Sequence, residues 1–199
     1  MKSILLTAFE PFGIWTTNSS ELCLRAVLPL APAGVEITAK VYPVNFEVVR
    51  TQLAEDLKQN YDFALHLGQA QQTGRIRLES IAVNVGGHPG QPAEDHLPLV
   101  PQGPVAYQCG LPLSEWAVRL RQAGLPAYVS YHAGTYLCNA ALYWSHWLAD
   151  EWQLATRPAF VHVPLDVSQV VHQTTDWPTL PTTSAAEAVR RVMEELAVL

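Results

Sequence analysis

The sequence predicts an α/β sandwich of three layers, in which helices cover both faces of a mostly parallel or mixed, twisted sheet. Two observations predict it. Short apolar runs typical of buried strands alternate along the chain with segments of helical periodicity, an alternation typical of sheets with crossover helices. The composition is also that of a compact globular protein, since 49% of the 199 residues are hydrophobic and 15% are charged. We expect residues 1–199 to form a single domain.

The apolar runs place the strands. Residues 3–8 and 63–67 are almost wholly apolar, which predicts strands buried on both faces. Residues 75–79 alternate polar and apolar side chains, so we expect a half-buried strand with Arg75, Arg77 and Glu79 on one face. The remaining predicted strands are 37–44, 127–130 and 159–163.

Capping patterns and apolar periodicity place the helices. Asn18-Ser19-Ser20-Glu21 and Ser184-Ala185-Ala186-Glu187 each have the form of a capping box that begins a helix. Ser114 is a further candidate cap. The predicted helices run over 18–27, 49–57, 114–122, 138–151 and from 184 towards the C-terminus. Residues 88–103 are rich in Pro and Gly and predict a long loop.

Charge and cysteine content exclude several classes of function. The formal net charge of −6 argues against nucleic acid or anionic membranes as partners. No apolar stretch has membrane-spanning length, and the apolar start breaks at Glu10-Pro11, which predicts a strand and not a signal peptide. The three cysteines have neither a disulfide nor a metal pattern. We therefore expect a cytoplasmic protein without metal or cofactor.

Cys138 is the candidate nucleophile. It follows a small-residue turn, Ala133-Gly134-Thr135, and begins a predicted helix, where free N–H groups and the positive end of the helix dipole would stabilise a thiolate. The same N–H groups could form an oxyanion hole. An inert buried cysteine explains the position equally well. Cys23 and Cys109 have no activating neighbours, which favours core packing.

A thiol nucleophile needs a base, and His162 and His66 are the candidates. Each lies near the end of an apolar strand, and spacing does not choose between them. Glu79 could orient the imidazole, although a surface ion pair with Arg75 or Arg77 is an equally good interpretation. No two histidines have the spacing of a zinc hydrolase motif.

Phe9, Phe12 and Asn18 follow the first predicted strand. The two phenylalanines could belong to the core or wall an apolar pocket at the carboxyl end of the strand. Asn18 could serve simply as a helix cap. The residues alone therefore indicate an α/β protein that is a possible thiol hydrolase.

Four short motifs sharpen this interpretation. They are FEPFG (9–13), ESIAVN (79–84), AGTYLCN (133–139) and FVHVP (160–164). In these motifs, and in their order over essentially the whole chain, the sequence resembles the pyroglutamyl peptidase I (pyrrolidone-carboxylate peptidase) family of cysteine peptidases. The resemblance implies the phosphorylase/hydrolase-like form of the sandwich and a cysteine exopeptidase that removes N-terminal pyroglutamate from peptides through a thioester. It also implies a homodimer or homotetramer.

The resemblance also implies the site residues. Cys138, His162 and Glu79 match the family's catalytic triad, which chooses His162 over His66. Further positions match the walls and polar partners of the family's substrate pocket: Phe9, Phe12, Asn18, Gln69, Tyr136 and Leu137. A pocket that hydrogen-bonds both lactam groups is expected to reject proline, which lacks the ring carbonyl.

The sequence departs from the family's pattern in three places. Ile14 replaces a second glycine, and Ser19 replaces the proline after Asn18. After Asn84 the family's Asp-Ala-Arg segment is replaced by Val85-Gly86-Gly87-His88-Pro89, which leaves that arginine without a counterpart. This altered loop motivates an alternative, a catalytically weak or idle pyroglutamyl-peptide-binding protein. A nucleoside phosphorylase-like enzyme is disfavoured because no convincing glycine-rich phosphate loop is present.

Overall fold

The computed structural model describes all residues from Met1 to Leu199. The strands are β1 (Lys2–Phe9), β2 (Val35–Tyr42), β3 (Phe63–Ala70), β4 (Ile76–Glu79), β5 (Ile81–Val83), β6 (Ala106–Gln108), β7 (Ala127–Ser130) and β8 (Arg157–Pro164). The helices are α1 (Ser19–Val27), α2 (Phe46–Leu57), α3 (Leu113–Gln122), α4 (Leu137–Glu151), α5 (Val167–Val170) and α6 (Thr182–Ala197). None of these helices combines the length and hydropathy that crossing a bilayer requires.

The main sheet has six strands in the order β2-β1-β3-β8-β4-β7. The first four are mutually parallel, whereas β4 runs antiparallel to β8 and β7 follows the direction of β4. The prediction of a mostly parallel, mixed sheet is thus confirmed. The reversal at β4 brings its carboxyl-terminal residue, Glu79, opposite Phe160 in the middle of β8.

Helices cover both faces of the sheet, as predicted. On one face, α1, α3 and α6 bury a core that includes Val161 and Leu78. On the other, α2 and α4 bury a core that includes Phe160. Because side chains alternate along a strand, His162 lies on the same face of the sheet as Phe160, the face that α4 covers. Leu78 points to the other face, so its neighbour Glu79 also lies on the α4 face.

Two of the predicted helix starts are wrong. Ser114 lies inside α3, which begins after Pro112 without a side-chain cap. Ser184 lies inside α6, which begins two residues earlier at Thr182. There the distant Asp166 carboxylate accepts hydrogen bonds from the Thr182 N–H and hydroxyl, both at 2.7 Å, so a residue of another element holds the start of α6.

A small two-stranded ribbon flanks the predicted 88–103 loop. Strands β5 and β6 pair antiparallel beside the main sheet, and a single turn of 3₁₀-helix interrupts the 88–103 loop at Ala93–Asp95. The amide of Asn84 holds this segment: its nitrogen donates to the carbonyls of Val100 and Gly103, and its oxygen accepts from the Val100 N–H. The loop therefore has a defined path along the α4 face.

Candidate active site

The site opens where the direction of chain winding changes. From β1 the chain passes through α1 to β2 on one side, while β3 lies on the other side of β1. Pairing of β1 with β3 ends at Thr7 and His66, although both strands continue beyond these residues. Ligand crevices of α/β sheets form at such a switch point, outside the carboxyl ends of the strands.

Cys138 lies in the first turn of α4, at the edge of this crevice. Gly134 adopts a left-handed φ of +83°, which favours glycine and turns the chain into the helix. No side chain caps the helix start, so the N–H groups of its first turn remain available to a ligand. Cys138 is partly exposed, in contrast to the buried Cys23 and Cys109.

His162 and Glu79 form a buried pair on the α4 face of the sheet. The Nδ1–H of His162 donates to Oε1 of Glu79 at 2.7 Å, and Glu79 is fully buried. The ring of His162 packs against Phe160 with 4.7 Å between ring centres. The pair is thereby fixed in orientation, and Nε2 of the imidazole is left for a second partner.

The charges of the site favour a protonated imidazole. Burial by itself lowers the pKa of His162, but hydrogen bonds and charge interactions with Cys138 and Glu79 raise that pKa to about 9. Burial raises the pKa of Glu79, but the hydrogen bond and charge of His162, with a contribution from Arg77, leave it below its ordinary value. At neutral pH the Glu79 carboxylate is therefore ionised and the imidazole carries a proton.

Gly68, at the carboxyl end of β3, sets the position of the thiol. A Cβ at this residue would lie 2.9 Å from Sγ of Cys138 and 2.6 Å from Cζ of Phe160. We expect Gly68→Ala to displace the sulfur and lower kcat on the order of 100-fold, since misplacing a reacting group by about 1 Å costs that much. The measurement is kcat on a pyroglutamyl substrate.

Gly110→Ala is the matched control for this change. A Cβ at Gly110 meets no atom within 4 Å, so the same substitution there should leave kcat unchanged. Melting curves of both variants separate misplacement from unfolding. A folded Gly68→Ala protein with the kcat of the parent would contradict the proposed steric role.

The remaining predicted site residues line one pocket beside the thiol. This small apolar pocket is partly open to solvent and has about 250 Å³ of space between its atoms, open solvent included. It is lined by Phe9, Phe12, Asn18, Val44, Gln69, Tyr136, Leu137 and Cys138. The structure thus brings together all six residues that the resemblance assigns to substrate binding, and Cys138 forms part of the wall.

The polar residues of the pocket also hold its frame. Asn18 caps α1 by accepting from the Ser20 N–H at 3.0 Å, and its amide nitrogen donates to the Glu10 carbonyl at 2.9 Å. The Gln69 side-chain oxygen accepts from the Ser19 N–H at 2.9 Å. The Gln69 Nε2 group is buried without an acceptor and fits a polar group of a bound ligand. Asn18 is therefore both helix cap and pocket wall.

The rival histidine has a structural role. The Ser145 hydroxyl donates to the Ala141 carbonyl, so Ser145 accepts from Nε2–H of His66 at 2.8 Å. Nδ1 of His66 then accepts from the Thr7 hydroxyl at 2.7 Å. Burial lowers the pKa of His66 to about 3. With both nitrogens occupied, His66 has no free site for a substrate proton.

The other two cysteines are unsuited to nucleophilic attack. Burial in the core raises the pKa of Cys23 to about 12. Burial also raises the pKa of Cys109, whose thiol contacts the Pro158 carbonyl. Both thiols are therefore protonated at neutral pH, and neither lies in the pocket.

Sequence reasoning missed Val44 and Asn139. Val44 lies just after β2, as Phe9 lies at the end of β1. Sites of α/β sheets form at the carboxyl ends of strands, and this rule, which selected Phe9, could also have selected Val44. Asn139 follows the nucleophile and is fully buried in an apolar helix. Its amide exchanges hydrogen bonds with the Val83 main chain and donates to the Val85 carbonyl at 3.0 Å. A polar asparagine within an apolar helix needs hydrogen-bond partners when it is buried, and this polar position in the sequence was the signal that could have found Asn139.

The chemistry of the site defines a class of protein. No cluster of three or more His, Cys, Asp or Glu side chains is arranged to hold a metal ion. A thiol at a helix start, a buried imidazole–carboxylate pair and a small apolar pocket on an α/β sandwich are together the site of a cysteine hydrolase.

Comparison with known proteins specifies the class. The family model for pyroglutamyl peptidase matches residues 2–198. A pyrrolidone-carboxylate peptidase of Streptomyces coelicolor is 34% identical, covering 99% of this chain and 93% of that protein. The crystal structure of the enzyme from Fervidobacterium islandicum superposes with a TM-score of 0.92 at 31% identity, covering 98% of both chains. The crystal structure of pyroglutamyl peptidase I from Bacillus amyloliquefaciens superposes with a TM-score of 0.90 at 27% identity, covering 100% of this chain and 98% of that one. The chain belongs to the pyroglutamyl peptidase family.

Proposed function

We propose that Cys138, His162 and Glu79 are the catalytic triad of a cysteine exopeptidase that hydrolytically removes N-terminal pyroglutamate. The observation that supports this most directly is the position of Cys138 between a small apolar pocket and the buried His162–Glu79 pair. The pocket is small and apolar, which suits a substrate whose N-terminal residue is a single uncharged ring.

The proposed reaction proceeds in two steps. The Cys138 thiolate attacks the pyroglutamyl carbonyl, and the first-turn N–H groups of α4 stabilise the negative charge that develops on its oxygen. The protonated His162 gives its proton to the leaving amine as the C–N bond breaks, which forms a thioester. His162 then takes a proton from the water that hydrolyses the thioester. Glu79 holds the imidazole in orientation throughout.

The pocket residues are proposed to recognise the lactam. Phe9, Phe12, Tyr136 and Leu137 would pack on the ring, and the Nε2 group of Gln69, which is buried without an acceptor, would donate to its carbonyl. The main chain at Gln69, beyond the end of the β1–β3 pairing, is a further candidate contact. A prolyl ring lacks the carbonyl and would leave the buried Nε2 group without an acceptor, which costs binding free energy.

Hydrolysis of a pyroglutamyl arylamide beside its prolyl analogue tests this function. We expect turnover of the first substrate by reduced protein and, for the second, kcat/KM lower by at least about 100-fold. Alkylation should inactivate the protein, whereas a chelator should not. Binding of the pyroglutamyl substrate without turnover would favour an idle binding protein over the enzyme.

The unit of function is proposed to be residues 1–199 as one catalytic domain, because α1 and α6, from opposite ends of the chain, pack in one core. Three free cysteines support a reducing, cytoplasmic setting. The net charge of −6 argues against nucleic acid and anionic membranes as binding partners. The family resemblance supports a homodimer or homotetramer, which a mass measurement in solution tests.

A further inference from the structure

A second depression touches the site from the other side of His162. This groove is lined by Ala70, Gln71, Gln72, Arg77, His132, Ala133, Gly134 and His162. It shares no lining residue with the apolar pocket beside Cys138. The end of β3 and the segment before α4 both run from one depression to the other, so the Cys138–His162 pair lies between the two depressions.

The chemistry of the reaction assigns the groove to the leaving peptide. The scissile carbonyl must approach Sγ of Cys138 with the lactam in the apolar pocket. The leaving nitrogen must lie within reach of His162, which protonates it. The residue that carries this nitrogen therefore enters the depression that His162 lines.

Arg77 is the cation of this groove. It lies directly across from His162 in the antiparallel β4–β8 pair, on the same face of the sheet. The guanidinium forms no ion pair with any Asp or Glu, in contrast to Arg25, Arg119, Arg190 and Arg191. The Arg77 Nε–H is buried without an acceptor. A buried donor on an unpaired cation is costly unless a ligand supplies the acceptor.

His132 adds a second donor. Its Nδ1 accepts from the Gly134 N–H at 3.1 Å, which leaves the hydrogen on Nε2. The carboxylate that faces Arg77 from its own strand, Glu79, is already bound to His162. The groove thus presents donors and an unpaired positive charge, although the chain as a whole has a net charge of −6.

We propose that Arg77 makes this groove a subsite for a carboxylate on the leaving residue, an inference that rests on the proposed function. The carboxylate can come from an acidic side chain next to the pyroglutamyl group or from the free C-terminus of a pyroglutamyl dipeptide. Arginine binds both in the same way, through parallel N–H···O bonds. Arg77 is a specificity-determining residue and takes no part in the bond-breaking step.

Two matched substrate pairs test the proposal. The first pair is pyroglutamyl-glutamic acid α-amide and pyroglutamyl-glutamine α-amide, which differ only in the side-chain carboxylate. The second is pyroglutamyl-glutamine as the free acid and as its α-amide. We expect kcat/KM to favour the carboxylate in at least one pair on the order of tenfold at low salt. The pair that shows the preference identifies its source.

Arg77→Gln should abolish this preference, and Arg75→Gln should keep it. Arg75 is the matched control because it lies two residues away, stacks on the Tyr128 ring and does not line the groove. Equal kcat/KM within both pairs for the parent protein would overturn the inference alone. The inference would also be overturned if Arg77→Gln slowed every substrate by the same factor, because a uniform loss would mean that Arg77 acts only by supporting Glu79. No turnover of any pyroglutamyl substrate would overturn the proposed function as well.

Discussion

Cys138→Ala is expected to lower kcat on a pyroglutamyl arylamide on the order of 10,000-fold or more, to the limit of detection. The substitution removes the attacking atom. Neither remaining thiol can replace it, because burial raises the pKa of Cys23 and of Cys109 and keeps both protonated at neutral pH. The change removes one sulfur at a partly exposed position, so the fold should persist. The measurement is the steady-state rate, with a melting curve for each preparation.

Cys23→Ala and Cys109→Ala are the controls for this prediction. Both delete a buried sulfur, so each should lower the melting temperature slightly while kcat stays within about twofold of the parent. Residual turnover in Cys138→Ala above one tenth of the parent rate would show that another group performs the attack.

Glu79→Gln is expected to lower kcat on the order of 1,000-fold while the protein remains folded. The amide has the size of the carboxylate but no charge, and it can present its donor to Nδ1 of His162. The imidazole then loses the partner that holds it at 2.7 Å in one tautomer. Glu36→Gln, an exposed carboxylate on β2, is the control and should have no effect on kcat.

The pH profile of Glu79→Gln distinguishes an orienting role from a structural one. In the parent, the His162 proton is retained as pH rises until about 9, because Cys138 and Glu79 raise its pKa against the effect of burial. Removing the Glu79 charge lowers that pKa, so the alkaline decline of activity should move to lower pH. An unchanged alkaline limb would falsify the assignment of Glu79 as the partner of His162.

Much of this fold could be predicted because its signals are local. The strand around 159–163 is apolar apart from His162, and alternation along it correctly placed His162 opposite Val161 and Val163. The starts of α3 and α6 could not be predicted in this way. Asp166 secures the first turn of α6 from another part of the chain, which no nearby pattern reveals. Strands β5 and β6 have three residues each, too few to show a period.

The candidate site, like the fold, could be predicted only where its signals are local in the sequence. Position alone indicated Cys138, but it left His66 and His162 equal because both lie near the end of an apolar strand. What separates them is the set of partners: Thr7 and Ser145 occupy both nitrogens of one ring, and Glu79 occupies a single nitrogen of the other. Those partners lie 59 to 83 residues away in sequence, so only the fold brings them together.

The altered loop after Asn84 is attached through its main chain. The Asn139 amide binds the Val85 carbonyl, and the Gly87 N–H donates to the Thr135 carbonyl at 2.9 Å, which ties the loop to both sides of the nucleophile. Neither bond depends on which side chains the loop carries, apart from Gly86 and Gly87, where a Cβ would collide with Leu99 and His96 respectively. Most side chains of this segment can therefore be replaced while its main chain keeps the same route past the thiol.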